Sequence, residues 1–240
     1  MVLQQHTIDL EYGGRKFEGL LVWDDSYVRP RPGILIAPTI RGRTEFEEGK
    51  ARSLALLGYA ALVIDLYGKE TRGLDIEQYR TMMNELRADR PELQRRLLSW
   101  IETGREQAEI DEQKVAAMGF CFGGLCVLDI ARSGADVAGV VSFHGIFDAP
   151  PNAAENTIKA KVLALHGWED PLATPDQVSA LASELTSMGA DWQIHAYGNT
   201  LHAFTNPAAN DKTAGTVFNA SANRRSWAAM QNFFAELFDT

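Results

Sequence analysis

The sequence predicts an α/β fold, a mostly parallel central sheet with helices on both faces, forming a single domain over residues 1–240. Three observations carry this. Short apolar runs suited to strands buried on both faces recur at 33–37, 59–65, 115–120, 137–143, 162–166 and 192–197. Helical stretches separate them, and alternating βα units of this kind build parallel sheets. The 240 residues suffice to bury one substantial α/β core.

The elements follow in order. Residues 6–12 and 16–23 alternate apolar and polar around Gly13-Gly14, the pattern of an opening antiparallel pair. A helix over 44–58 starts with a capping box, Thr44 with Glu47, and stops at Gly58. Residues 75–109 are helix-prone throughout, with a break near Pro91. Further helices are expected over 122–133, over 174–189 (Thr174 with Gln177, Pro175 at the first helical position) and over 221–238. Two connections, 145–159 and 198–220, are too long for simple turns, and such loops at strand ends commonly build a site.

Composition narrows the partners. Hydrophobic residues are 45% and charged residues 23%, and the formal net charge is -9 without a long basic block. Nucleic acid and anionic membrane are therefore not expected partners. Neither a leader pattern at the N-terminus nor an apolar stretch near the ~20 residues of a membrane helix is visible, so a cytoplasmic location is expected. Cys121 and Cys126 form no disulfide framework and no zinc-type cluster, so no metal is implied.

The chemistry concentrates at Gly119-Phe120-Cys121-Phe122-Gly123, where the strand at 115–120 passes directly into a helix. This is the G-x-nucleophile-x-G elbow, with cysteine in the position more often held by serine. The turn is strained, so positions two before and two after must be small, and both are glycine. A thiol there sits at a helix N-terminus, which favours the thiolate. Cys126, on the helix itself, reads as core.

A thiol nucleophile needs a base and an orienting acid. In α/β-hydrolases these follow in the order nucleophile, acid, histidine, on loops after later strands. Asp170, in Gly167-Trp168-Glu169-Asp170-Pro171, fits the acid, with Glu169 its competitor. His202 fits the base. His6 and His195 fall inside strands, and His166 at a strand terminus reads as packed. His144, at the end of the strand over 137–143, is expected near the site mouth.

Together these residues resemble the dienelactone hydrolase family: Ile34-Leu35-Ile36-Ala37, Gly58-Tyr59-Ala60-Ala61 into Asp65-Leu66-Tyr67, the elbow, residues 167–170 and His202-Ala203-Phe204. The resemblance implies a Cys121, Asp170, His202 triad, an oxyanion hole from the Phe122 and Ile40 N–H groups, and no cofactor. It implies a small ester or lactone as substrate, with phosphotriesters a side activity. Thr39, His144, Trp168, Phe204 and Asn206 are the expected substrate contacts. Two departures matter. Thr39 stands where the family places a glutamate, and Asn206 where it places a carboxylate-binding arginine; Arg80 and Arg87 are loose candidates for a second arginine. Both departures point away from an anionic dienelactone. The rival reading is a non-catalytic binding protein or redox sensor built on a reactive Cys121.

Overall fold

The computed structural model describes residues 2–26, 30–151, 153 and 156–238. Residues 152, 154 and 155 of the long 145–159 connection, and Met1 of the N-terminal stretch, lie outside them. The chain divides into two compact units, residues 1–117 and 118–240.

In the first unit, β1 (Leu3–Tyr12) and β2 (Arg15–Asp24) pair antiparallel from Leu3↔Asp24 to Tyr12↔Arg15. Gly13 and Gly14 join them at φ 58° and 74°. Two successive positive φ values make the tight hairpin turn whose twist matches the strands. β3 (Arg31–Ala37) leads into α1 (Glu45–Ala55), and the expected Thr44–Glu47 capping box is present. β4 (Ala60–Val63) runs parallel to β3 and antiparallel to β2. α2 (Ile76–Ala88) and α3 (Arg90–Arg105) share Asp89 as cap, placing the break expected near Pro91 two residues before it. Pro91 sits in the first turn of α3, where a missing N–H costs nothing. Trp100 is fully buried on α3, its Nε1–H donating to the Asp65 carbonyl at 2.7 Å. β5 (Ile110–Phe120) starts five residues before the apolar run that announced it and crosses into the second unit.

The second unit holds α4 (Phe122–Arg132), β6 (Gly139–Phe143), β7 (Lys161–Gly167), α5 (Pro175–Ser187) and β8 (Trp192–Tyr197). Two short strands, β9 (Asn210–Asp211) and β10 (Thr216–Val217), precede the closing helix α6 (Ala220–Phe238). β6, β7 and β8 are parallel neighbours. The eight long strands run in the order β1-β2-β4-β3-β5-β6-β7-β8, a mostly parallel α/β sheet.

One pattern differs from expectation. β2 does not alternate: residues 17–22 are all buried, while β1 at the sheet edge is largely exposed. Phe17, Leu20, Leu21 and Val22 are buried together with Glu18, and β2 lies between two strands rather than at an edge.

Candidate active site

The second unit brings the sequence-selected residues together around the end of β5. Cys121 adopts φ 56° and ψ -116°, a conformation few non-glycine residues accept, and caps α4. The reason for Gly119 is direct contact: a Cβ there would lie 2.1 Å from the Gly123 carbonyl oxygen. Strand and helix backbones touch across the turn, so Gly119 cannot carry a side chain. The Cys121 N–H donates to the Phe143 carbonyl on β6 at 3.0 Å. Cys121 as a residue is half-buried at the start of the helix.

The histidine expected as base follows β8. His202 is buried, and its backbone is held on both sides by the short β9–β10 region: its N–H donates to the Gly215 carbonyl at 2.9 Å and its carbonyl accepts from Val217 at 3.0 Å. This brace was not foreseen, because strands of two residues carry no readable periodicity. The aspartate expected as its orienting acid sits in the loop after β7. Asp170 is buried, its Oδ2 is 2.6 Å from His202 Nδ1, and its Oδ1 accepts from the Leu172 N–H at 2.8 Å.

Glu169, the competing carboxylate, does something else. Its Oε2 accepts from the Thr200 N–H at 2.7 Å and its own N–H donates to the Thr200 carbonyl at 3.1 Å. It fastens the acid loop to the segment leading into His202.

With Nδ1 on Asp170, the other ring nitrogen of His202, Nε2, makes no hydrogen bond of regular geometry among the described residues. Burial pushes the Cys121 thiol up, but the charge and hydrogen bonding of His202, with the Phe122 N–H, outweigh it and hold the thiol below its ordinary value. Burial pushes His202 down; the Cys121 charge and the Asp170 hydrogen bond overcome that and lift the imidazole well above its ordinary range. Each partner favours the charged form of the other.

The other expected positions divide. His144 and Phe204 are buried, packed ring to ring at 5.1 Å beneath the site rather than at its mouth. Both His144 nitrogens are engaged within the chain, with the Cys121 N–H at 3.2 Å and Thr205 Oγ1 at 2.8 Å, so the expected substrate contact gives way to an internal one. Trp168 is 43% exposed on the acid loop, open to a bound molecule. Asn206 turns its Oδ1 back on the Ala208 N–H at 3.0 Å, stabilising its own loop. Thr205 was missed, since nothing in the sequence distinguishes it from other loop threonines.

Thr39 and Ile40 belong to the first unit. The Thr39 N–H donates to Glu47 Oε1 at 3.0 Å, and Glu47 Oε2 accepts from the Thr44 N–H at 3.0 Å. The capping-box glutamate thus anchors the loop after β3 as well as the helix. Burial pushes the Glu47 carboxyl up, while Thr44 and Thr39 restrain it. Arg80 is exposed on α2, 3.7 Å from Glu77. Cys126 is buried in α4, and His166 is buried at the end of β7. Among the described residues no group of three or more His, Cys, Asp or Glu side chains could hold a metal ion, and no helix is long and apolar enough to cross a membrane.

Comparison with known proteins adds a second line. The model of the dienelactone hydrolase family matches residues 17–238. A solved dienelactone hydrolase-like promiscuous phosphotriesterase, P91 from metagenomic libraries, is 35% identical with a TM-score of 0.92, covering 98% of this chain and 99% of that one. The solved protein m3DLH is 37% identical with a TM-score of 0.92 over the same shares. A Yersinia pestis protein named as a carboxymethylenebutenolidase is 23% identical over 234 residues, 93% of this chain and 85% of its own length.

Proposed function

We propose that this protein, which belongs to the dienelactone hydrolase family, hydrolyses carboxylic esters or lactones through a thioester on Cys121, with His202 as base and Asp170 as its orienting acid. The observation that carries this reading is the 2.6 Å contact of Asp170 with His202 Nδ1, which reserves Nε2 for a cysteine set on a nucleophile elbow.

The Cys121 thiolate attacks the carbonyl carbon, the π electrons move to oxygen, and backbone N–H groups receive the oxyanion. Phe122 supplies one donor. Ile40 is the second by resemblance, the Thr39 N–H being committed to Glu47. Each donor contributes roughly 3 kcal/mol to the transition state. Collapse of the intermediate breaks the C–O bond, and the His202 imidazolium gives its proton to the leaving alkoxide. Neutral His202 then takes a proton from water, whose oxygen attacks the thioester and releases the acid and Cys121.

The substrates inferred are neutral. Thr39 and Asn206 replace the family's glutamate and arginine, and the exposed Trp168 offers an apolar face instead of a cation. The likeness to a promiscuous phosphotriesterase supports a second activity on neutral phosphotriesters, whose phosphoryl (P=O) oxygen gains negative charge on attack much as an ester carbonyl does. A screen of activated aryl esters, lactones and a neutral aryl phosphotriester, run with wild type and Cys121→Ala, tests both activities. Turnover lost with Cys121 supports them. Retained turnover contradicts the nucleophile, and reversible oxidation of Cys121 without any turnover favours a redox sensor.

A further inference from the structure

We propose that His144 is a positioning residue that ties the nucleophile turn to the loop carrying the base. It lies just past β6, fully buried, at φ 38°, a left-handed conformation that a side-chain-bearing residue adopts at a cost. Its N–H is secured to the Leu165 carbonyl at 2.8 Å.

The ring makes two bonds in opposite directions. Nδ1 is 3.2 Å from the Cys121 backbone nitrogen, and a peptide N–H can only donate, so Nδ1 carries no proton. Nε2 therefore holds the ring hydrogen and donates it to Thr205 Oγ1 at 2.8 Å. Thr205 is buried three residues beyond His202, on the same loop. The His144 ring also meets the His202 ring edge to face, with centroids 5.0 Å apart at 68°. A single imidazole thus touches the nucleophile's backbone, the ring of the base and a side chain of the base loop.

Histidine suits this position because it sets an acceptor and a donor on opposite sides of one rigid ring. Asparagine can reproduce the acceptor near Nδ1 but not the reach to Thr205, and phenylalanine reproduces the shape alone. The Cys121 N–H is already bonded to Phe143, so the His144 bond is not needed to satisfy it. Its effect is to fix the direction of the turn relative to His202. Geometry at this scale matters, since a 1 Å displacement of reacting groups costs on the order of a hundredfold in rate.

The inference rests on the Cys121–His202 reading, and its test separates the two. The rate of iodoacetamide labelling of Cys121 is measured from pH 5 to 9, with aryl-ester kcat and KM alongside, in wild type, His144→Phe, His144→Asn and Thr205→Val. We expect His144→Phe to slow labelling at pH 6 by about tenfold or more and move its midpoint toward the free-thiol value near 8.5. The kcat should fall with KM little changed, His144→Asn should recover part of the loss, and Thr205→Val should shift in the same direction. If His144→Phe does not fold, Thr205→Val, which keeps the buried volume, decides the matter. A wild-type labelling profile and kcat in either folded variant overturns the proposal. Failure of the underlying reading looks different: wild type itself would then label only near pH 8.5.

Discussion

Asp170 Oδ2 lies 2.6 Å from His202 Nδ1, while the adjacent carboxylate, Glu169, is spent on the Thr200 N–H. Two neighbouring acids therefore have separate jobs, one electrostatic and one mechanical. Asp170→Asn should lower kcat by about 10³–10⁴-fold, because an amide neither stabilises the imidazolium nor fixes its tautomer. Glu169→Gln keeps an acceptor for Thr200 and should change kcat only a few-fold. Steady-state hydrolysis of an activated aryl ester checks both, and a greater loss in Glu169→Gln would reverse the assignment.

The pH response of the thiol follows from the two opposed shifts. Cys121 is held below its ordinary value and His202 above its own, so a resting thiolate–imidazolium pair is expected. Lowering the pH must carry the solution through the depressed Cys121 value before the thiolate is lost. Alkylation by iodoacetamide should thus stay fast well below the free-thiol value of about 8.5. A rate that rises only near that pH would show that no pair stands in the free enzyme.

Most of this arrangement was visible in the chain. Gly119 and Gly123 around Cys121 mark the elbow, a Cβ on Gly119 meeting the Gly123 carbonyl oxygen at 2.1 Å, and Cys121, Asp170 and His202 follow in the order of the strands that precede them. Asp170 is favoured over Glu169 by its place before Pro171, and the hydrogen bonds give the two carboxylates different partners, His202 and Thr200. His144 was placed at the site mouth because it ends a strand. Its positive φ turns the ring inward, and no local sequence signal reports that. The β9–β10 brace was hidden because its pairing is only two residues long, too short to show a period.

His166 gives a stability prediction. The side chain is buried against Phe147 at 5.4 Å between ring centroids, neither nitrogen has a hydrogen-bond partner among the described residues, and burial pushes its titration below the ordinary histidine range. The unfolded chain then takes up a proton near pH 6.5 that the folded chain refuses. Stability from this group is present above that pH and declines as pH falls through the folded value. Replacing the ring by His166→Leu should flatten the fall in Tm between pH 7 and 5 while costing less than about 1 kcal/mol at pH 7. Equal slopes in the two proteins would contradict this.

Arg132 is the structural counterpart. It is buried at the end of α4 and donates to Glu184 through Nε at 2.7 Å and Nη2 at 2.8 Å, to Asp129 at 3.3 Å, and to the Phe147 and Asp148 carbonyls at 3.1 and 3.2 Å. The guanidinium joins α4, α5 and the segment after β6. Arg132→Met should destabilise the protein by about 3–5 kcal/mol, because two carboxylates are left facing an apolar side chain. Chemical denaturation measures it, and a loss below about 1 kcal/mol would show that water replaces the arginine at no cost.

The most direct test of the central claim is to trap the acyl-enzyme. Wild type is mixed with an activated aryl ester, quenched in acid within the first turnovers and digested, and the mass of the peptide containing Cys121 is read. The account predicts an acyl adduct on Cys121 that hydroxylamine removes, and no adduct and no turnover in Cys121→Ala. Turnover by Cys121→Ala, or an acyl group on another residue, would contradict it.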